Sequence, residues 1–162
     1  RLFMSLNYFT QYKCENFNNF KNNLIKLIYE DENGKSDKSI YKTDYFSKEK
    51  GKWFNLFKDE VLEKFSIWFL KKHQTENFYC EHCWYQIYKE NNFHETHTHR
   101  GTNFTNIFYL QLPNINSKTQ IKDYNFNVEE GDLISFPAFI PHSSKINLSK
   151  KDKIIISFNS SV

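Results

Sequence analysis

The chain has 162 residues and a formal net charge of +3, with 19% aromatic residues. A chain of this length fits one compact domain with a substantial core, and the aromatic residues supply bulky material for it. The positive charges are scattered along the sequence, which weighs against a nucleic-acid partner. No apolar run approaches the ~20 residues of a membrane span, and no secretory signal pattern opens the chain.

The cysteine content predicts a cytoplasmic protein without disulfide bonds. The chain has three cysteines, and Cys14 lies far in sequence from Cys80 and Cys83. This odd number argues against a disulfide framework and favours a reducing compartment. The first residue is Arg1 and not Met, so we expect a segment upstream of it.

The first half of the sequence is predicted to be mostly helical. Residues 1–13 indicate a strand or an extended lead-in. Residues 17–29 have apolar side chains at helical spacing, and turn-forming residues follow them. Residues 35–48 are polar and are predicted to form a loop. Residues 53–72 form the strongest predicted helix, with a broad apolar face that would pack on a sheet.

Short strands dominate the sequence after residue 77. They are rich in aromatic and β-branched residues, and Asn, Gly, Pro and Ser separate them. The predicted strands are 78–89, 93–99, 103–112, 119–128, 131–136 and 152–159. Helices followed by consecutive strands predict an α+β domain over residues 1–162, in which residues 1–76 buttress a β-barrel or sandwich formed by residues 77–162. Small barrels and jelly rolls commonly hold one ligand at the mouth.

A His-x-His motif marks the candidate functional site. On a strand, alternate side chains share one face and lie about 6.5–7 Å apart, so His97 and His99 can converge on one metal ion. Glu95 would share their face, and His94 would lie on the opposite one. The best candidate for a third ligand is His142, which follows a predicted strand and a proline-bounded turn. The alternative is that His97 and His99 are surface residues on an edge strand. The His-x-His motif together with the later strand, turn and His142 is more specific for metal binding than His-x-His alone.

Six stretches of the second half carry a recognisable pattern. They are 84–88 (WYQIY), 97–99 (HTH), 105–110 (TNIFYL), 131–137 (GDLISFP), 141–142 (PH) and 156–159 (ISFN). In order and spacing they resemble the small 2OG-Fe(II) oxygenases of phages and marine bacteria. The resemblance implies a double-stranded β-helix, which is a jelly-roll, cupin-like fold. It also implies a dioxygenase or hydroxylase that uses Fe(II), 2-oxoglutarate as cosubstrate, and O2.

The resemblance also assigns roles to individual residues. It implies that His97, His99 and His142 are catalytic metal ligands, with His99 at the position where a carboxylate is usual. Lys153 stands where an Arg usually pairs with the distal carboxylate of 2-oxoglutarate, and Ile155 stands where a Ser is frequent.

Alternation along the predicted strands supports a polar cavity wall. On the last strand, Lys153, Ser157 and Asn159 share a face with Ile155, while the apolar Ile154, Ile156 and Phe158 form the other face. Further candidates for contact with the cosubstrate are Gln86, Tyr88 and Tyr109.

Two other classes of protein remain open. A cupin-type metal enzyme shares the His-x-His motif, but no Glu follows His99 closely and Phe139 occupies the place of the usual Gly. A non-catalytic sheet domain with structural zinc would need four protein ligands, and the sequence offers three. Cys80 and Cys83 resemble half of a zinc site, but on a regular strand they would face opposite sides. The substrate, a small molecule or a peptide, and the oligomeric state have no readable signature.

Overall fold

The computed structural model describes residues 6–162, and all of its α-helices lie before residue 76. The first, α1 (Phe17–Glu30), buries Phe20, Leu24 and Ile28, which lie four residues apart on one face. None of the helices in residues 6–162 is both long enough and apolar enough to cross a membrane.

The predicted helix at 53–72 is confirmed as one continuous helical segment. It comprises α2 (Lys52–Phe57), a π-helical turn (Lys58–Leu62) and α3 (Glu63–His73). The buried side chains recur at every fourth position, at Trp53, Phe57, Val61, Phe65 and Phe69. Each four-residue step in an α-helix rotates about 40° beyond a full turn, and the wider π turn offsets part of that drift. The whole row therefore faces the sheet.

In the described residues, ten strands form two antiparallel sheets. The major sheet has seven strands in the order β1-β8-β6-β10-β4-β3-β2, and the minor sheet has three in the order β5-β9-β7. The bounds are β1 Thr10–Lys13, β2 Lys35–Asp37, β3 Ile40–Thr43, β4 Tyr79–Tyr88, β5 His94–His97, β6 Phe104–Gln111, β7 Thr119–Ile121, β8 Asp132–Pro137, β9 His142–Ser144 and β10 Lys153–Ser161. The first half thus contributes three strands to the major sheet besides its helices.

Several predicted boundaries are wrong. Residues 35–48, predicted as a loop, contain β2 and β3, because Ile40 and Thr43 are buried where β3 pairs with β4. These short strands lie at the edge of the sheet, where the apolar pattern is weak. Of the predicted strand 119–128, only β7 forms. The β9 strand, three residues long, was not predicted. For the predicted lead-in 1–13, residues 1–5 lie outside the described part of the chain, and β1 confirms the strand at its end.

The major sheet separates two apolar cores. On its outer face, Ile154, Ile156 and Phe158 of β10 pack with the helices. On its inner face, Ile155 joins a second cluster with Tyr88, which faces the minor sheet. The alternation predicted for the last strand is confirmed, and it places a polar row opposite the minor sheet.

Candidate metal centre

The structure brings His97, His99 and His142 together at the mouth between the two sheets. One nitrogen of each ring lies within 4.8 Å of the others. Pairing of β5 with β9 places His97 directly opposite His142. His99 follows the end of β5, and its main-chain N–H donates to the Ala138 carbonyl at 3.0 Å. Strand pairing and this bond fix all three rings around one point.

Main-chain carbonyls select the tautomer of two of these rings. Nδ1 of His97 lies 2.8 Å from the Glu95 carbonyl oxygen, and Nδ1 of His142 lies 3.0 Å from the Ile140 carbonyl oxygen. A carbonyl oxygen only accepts, so each Nδ1 carries the proton and donates it. The lone pair is then on Nε2, which is the arrangement that a metal-binding histidine requires.

The electrostatic environment keeps the three rings neutral. Burial and the neighbouring histidines lower the pKa of His142 to about 3 and that of His99 to about 4. Burial also lowers the pKa of His97, although its bond to the Glu95 carbonyl opposes the shift. All three are unprotonated at neutral pH, so a metal ion would not compete with protons for them.

The ligand set fits a divalent transition metal with open coordination positions. Imidazole nitrogen suits iron, zinc, copper and nickel. Among residues 6–162, no Cys, Asp or Glu joins the three histidines. Structural zinc sites are normally closed by four protein ligands, so a three-ligand site at a cavity mouth fits catalysis better. Glu95, which the sequence places on the same strand face as His97 and His99, is exposed and does not belong to this group.

His94 is a site residue that sequence reasoning placed on the wrong face. Its ring stacks on that of His97, with 4.0 Å between the ring centroids, and it lines the same cleft. The pairing of β5 with β9 shifts register between His94 and His97, so simple alternation fails there. Proximity in sequence to the His-x-His motif was the only signal that could have drawn attention to it.

A narrow cleft of about 20 Å³ leads from the three histidines between the sheets. Of the predicted cosubstrate residues, Gln86, Tyr88 and Ser157 line it. Other lining residues are Trp84, His94, Thr105, Ile107, Thr119, Ser143, Ser144 and Ile155. The Tyr88 hydroxyl donates to the Gln86 side-chain oxygen at 3.0 Å. The wall opposite the metal ligands is therefore polar and already hydrogen-bonded.

Lys153 is 1% exposed and lies next to Ser144 and Tyr88, which line this cleft, without lining it itself. Its Nζ donates to the Ser144 hydroxyl at 2.8 Å and lies 5.1 Å from the Tyr88 ring centroid. No carboxylate within residues 6–162 forms an ion pair with it. Burial lowers its pKa to about 7. Ser144 was missed from the sequence, although it lies two residues after His142 and alternation places it on the same face.

Besides Lys153, the predicted cosubstrate residues Tyr109 and Asn159 also lie outside the cleft lining. Tyr109 is buried behind it, and its hydroxyl accepts the Thr119 main-chain N–H at 3.1 Å. Asn159 lies toward the other end of β10, opposite Thr105 and His82. Its buried Oδ1 has no hydrogen-bond partner in the described chain. Their predicted contact with a cosubstrate stays a prediction.

Comparison with known proteins adds evidence on the fold. No family model matches the sequence, and a comparison with curated proteins likewise finds no match. Among solved structures, a Pseudomonas putida prolyl-4-hydroxylase is similar at a TM-score of 0.67 and 12% identity, covering 96% of this chain and 93% of that chain. A Trichoplax adhaerens prolyl hydroxylase, solved with a hypoxia-inducible-factor peptide, is similar at a TM-score of 0.67 and 13% identity. The match covers 96% of this chain and 84% of that chain.

A third similar structure catalyses a different reaction. It is SnoN, a non-heme α-ketoglutarate-dependent epimerase from nogalamycin biosynthesis, at a TM-score of 0.68 and 10% identity, covering 94% of this chain and 77% of that chain. At such low identities these structures establish the fold and not the reaction. The chain has the double-stranded β-helix fold of the 2OG-Fe(II) oxygenases, with N-terminal helices packed on its major sheet, and this confirms the predicted fold class.

Proposed function

We propose that the chain is an Fe(II)- and 2-oxoglutarate-dependent oxygenase of the dioxygenase or hydroxylase type. His97, His99 and His142 would hold the iron, and Lys153 would hold the distal carboxylate of 2-oxoglutarate. When bound, the iron and 2-oxoglutarate would supply the redox chemistry that couples the use of O2 to oxidation of a substrate. The observation that carries the proposal is a buried lysine without a carboxylate partner, beside an open three-histidine site.

Lys153 is in an environment that is unfavourable for an ammonium ion. A buried charge is costly unless it is paired, and within residues 6–162 the Lys153 Nζ contacts one hydroxyl and the face of one aromatic ring but no carboxylate. A bound carboxylate would provide the missing charge. Lysine acts toward a carboxylate as a point charge and not as a bidentate fork, so Ser144 and Tyr88 would help to orient the ligand. This arrangement favours a dicarboxylate whose other end reaches the metal ligands.

The narrow width of the cleft limits what can occupy it. A volume of about 20 Å³ holds roughly one water molecule. A cosubstrate must therefore displace side chains as it enters, and its distal carboxylate would accept from the Lys153 ammonium while Ser144 keeps the ammonium in place. Once filled, the cleft would exclude water from the inner side of the metal centre.

Two wider cavities meet the metal centre from outside and are the candidate substrate mouth. One, of about 240 Å³, is lined by His97 and His94 together with Ile40 and Phe93. The other, of about 220 Å³, is lined by His97 and His99 together with Tyr45, Phe46 and Trp84. Their size fits a small molecule or one residue of a peptide. The Trichoplax neighbour was solved with a peptide, and we propose a peptide or small molecule as the substrate here.

Anaerobic reconstitution tests the proposal directly. Purified protein is loaded with Fe(II), and 2-oxoglutarate is added while the visible spectrum is followed. We expect a charge-transfer band with the wild type, no band with His97→Ala, and a band that needs at least about 30-fold more 2-oxoglutarate with Lys153→Met. The last variant replaces a buried charge with an apolar side chain of similar length.

Three outcomes would contradict the proposal. Iron binding without any band would favour a cupin-type enzyme that does not use 2-oxoglutarate. A failure to bind Fe(II) would contradict both the oxygenase and the cupin-type function. A wild-type band that Lys153→Met leaves unchanged would show that the carboxylate is held elsewhere. Circular dichroism of each variant distinguishes loss of the site from loss of the fold.

A further inference from the structure

A β-bulge brings Cys80 and Cys83 to the same face of β4. Along β10, Phe158 lies opposite Cys83 and Ser160 lies opposite Cys80, with a register shift between them that leaves Glu81 unpaired. Directly opposed residues of an antiparallel pair point to the same side, and Phe158 and Ser160 share a face. The extra residue therefore corrects the expectation that the two cysteines face opposite sides.

The spacing of the two cysteines is compatible with a disulfide bond. Their partners Phe158 and Ser160 are successive residues on one face of β10. Such residues have Cα atoms about 6.6 Å apart, which lies near the upper end of the range that disulfides tolerate. The two thiols are close enough for each to influence the pKa of the other. Both are free thiols, as is the distant Cys14.

The two thiols differ in the way that an attacking and a resolving cysteine differ. Cys80 is exposed, whereas Cys83 is 4% exposed and packs in the outer core. The neighbouring Cys83 thiol lowers the pKa of Cys80, and the charge of Lys50 acts in the same direction. Burial raises the pKa of Cys83. The solvent-facing sulfur is thus the one with more thiolate character.

The pair lines an open cavity of about 470 Å³. Its wall includes Lys50, Tyr45 and Phe46, and a small molecule can approach the exposed Cys80 through it. The cavity adjoins the candidate substrate mouth, which shares Tyr45 and Phe46 with it. The site is nevertheless separate from the three histidines, since neither cysteine belongs to that group.

We propose that Cys80 and Cys83 form a redox-active dithiol that low-molecular-weight disulfides oxidise to an intramolecular disulfide. The Cys80 thiolate attacks one sulfur of the oxidant, so that a mixed disulfide forms and one thiol leaves. Cys83 then loses its proton to water in the cavity and attacks the Cys80 sulfur. The mixed disulfide breaks and releases the second thiol. Two protein thiols are oxidised and one oxidant disulfide is reduced to two thiols.

Ring contacts of Trp84 connect the dithiol to the candidate metal centre. Trp84 follows Cys83, and its ring centroid lies 5.0 Å from that of Tyr45 and 5.8 Å from that of His99. A disulfide would restrain the strand immediately before Trp84. The redox site itself does not depend on the proposed oxygenase activity.

Glutathione disulfide is the probe for the test. Reduced full-length protein is incubated with it, and thiols are counted and intact mass is measured. We expect the wild type to lose two of its three thiols and two hydrogen atoms, with no glutathione retained, and dithiothreitol should reverse the change. Peptide mapping should place the bond between Cys80 and Cys83. The matched control Cys14→Ser should form the same bond.

Two variants test the order of attack. Cys83→Ala should stop at a mixed disulfide on Cys80, and Cys80→Ser should react at least tenfold more slowly, because the remaining thiols are buried. Three free thiols in the wild type after a long excess of glutathione disulfide would overturn the proposal. A stable mixed disulfide on wild-type Cys80 would overturn it as well, because it would show that Cys83 cannot resolve it. Circular dichroism confirms that Cys83→Ala is folded.

Discussion

The two faces of β10 differ in what they leave unsatisfied. On the outer face, Ile156 and Phe158 are fully buried against apolar side chains of the helices. On the inner face, Lys153 is buried equally well, but within residues 6–162 it meets no opposite charge, and the side-chain oxygen of Asn159 finds no hydrogen-bond donor there. Apolar burial stabilises a fold, whereas a buried polar group without a partner destabilises it unless something binds there. The comparison separates the face of β10 that contributes stability from the face that the proposed ligand would contact.

The largest predicted effect is the loss of Fe(II) affinity when a candidate metal ligand on the inner side of the major sheet is removed. We expect His142→Ala to abolish Fe(II) binding, with a loss of more than about 100-fold in affinity, because residues that merely support a ligand already account for 10–100-fold. His94→Ala is the matched control, since its ring stacks on His97 but lies outside the group of three. Anaerobic titration with Fe(II) measures both. Equal losses in the two variants would show that the site has been assigned to the wrong histidines.

A substitution on the outer face should lower the free energy of unfolding and leave ligand binding unchanged. Phe158→Ala removes a ring that packs on Phe57 and Phe65, with centroids 6.1 and 5.7 Å away. We expect a loss of about 3–5 kcal/mol in the free energy of unfolding, from lost burial and the cavity that remains. Urea unfolding measures it. The Fe(II) affinity of the folded variant should stay within about threefold of the wild type, and a larger change would mean that the two faces are coupled.

The inner face should show a pH dependence that comes from Lys153. Burial lowers its pKa to about 7, whereas a lysine in an unfolded chain has a pKa near 10.4. Between these values the unfolded state binds the proton that the folded state has released, so the free energy of unfolding should gain a positive contribution as pH rises from about 7 to 10. Lys153→Met should lack this contribution, and urea titrations at several pH values measure the difference.

Binding of 2-oxoglutarate should have the opposite pH dependence. A carboxylate favours the protonated lysine, so its affinity should fall by up to about tenfold per unit as pH rises above 7. Titration calorimetry between pH 6 and 9 checks this. An affinity that is constant across that range would mean that Lys153 does not hold the cosubstrate.

Sequence patterns predicted the regular parts of this molecule and missed the irregular ones. Alternation along 152–159 correctly separated the two faces of β10, because side chains in a regular strand repeat every two residues. The same rule failed for His94 and for Cys80, since a register shift in β5 and a bulge in β4 each disrupt the alternation. A bulge depends on pairing with a distant strand, and nothing local in the sequence marks it.

The smallest predicted effect compares two buried hydroxyls across the major sheet. Ser144 accepts from the Lys153 ammonium at 2.8 Å at the wall of the cleft, and Ser160 accepts from the Asn106 amide at 2.9 Å on the outer face of the sheet. Each Ser→Ala change leaves a buried donor without this partner, so both should lower the free energy of unfolding by about 1–3 kcal/mol. Only Ser144→Ala should also weaken 2-oxoglutarate binding, by about 3- to 10-fold, because the ammonium loses the group that orients it.

Calorimetry on the two variants at matched stability separates these effects. An equal loss of affinity in Ser160→Ala would mean that binding responds to stability in general and not to the hydroxyl beside Lys153.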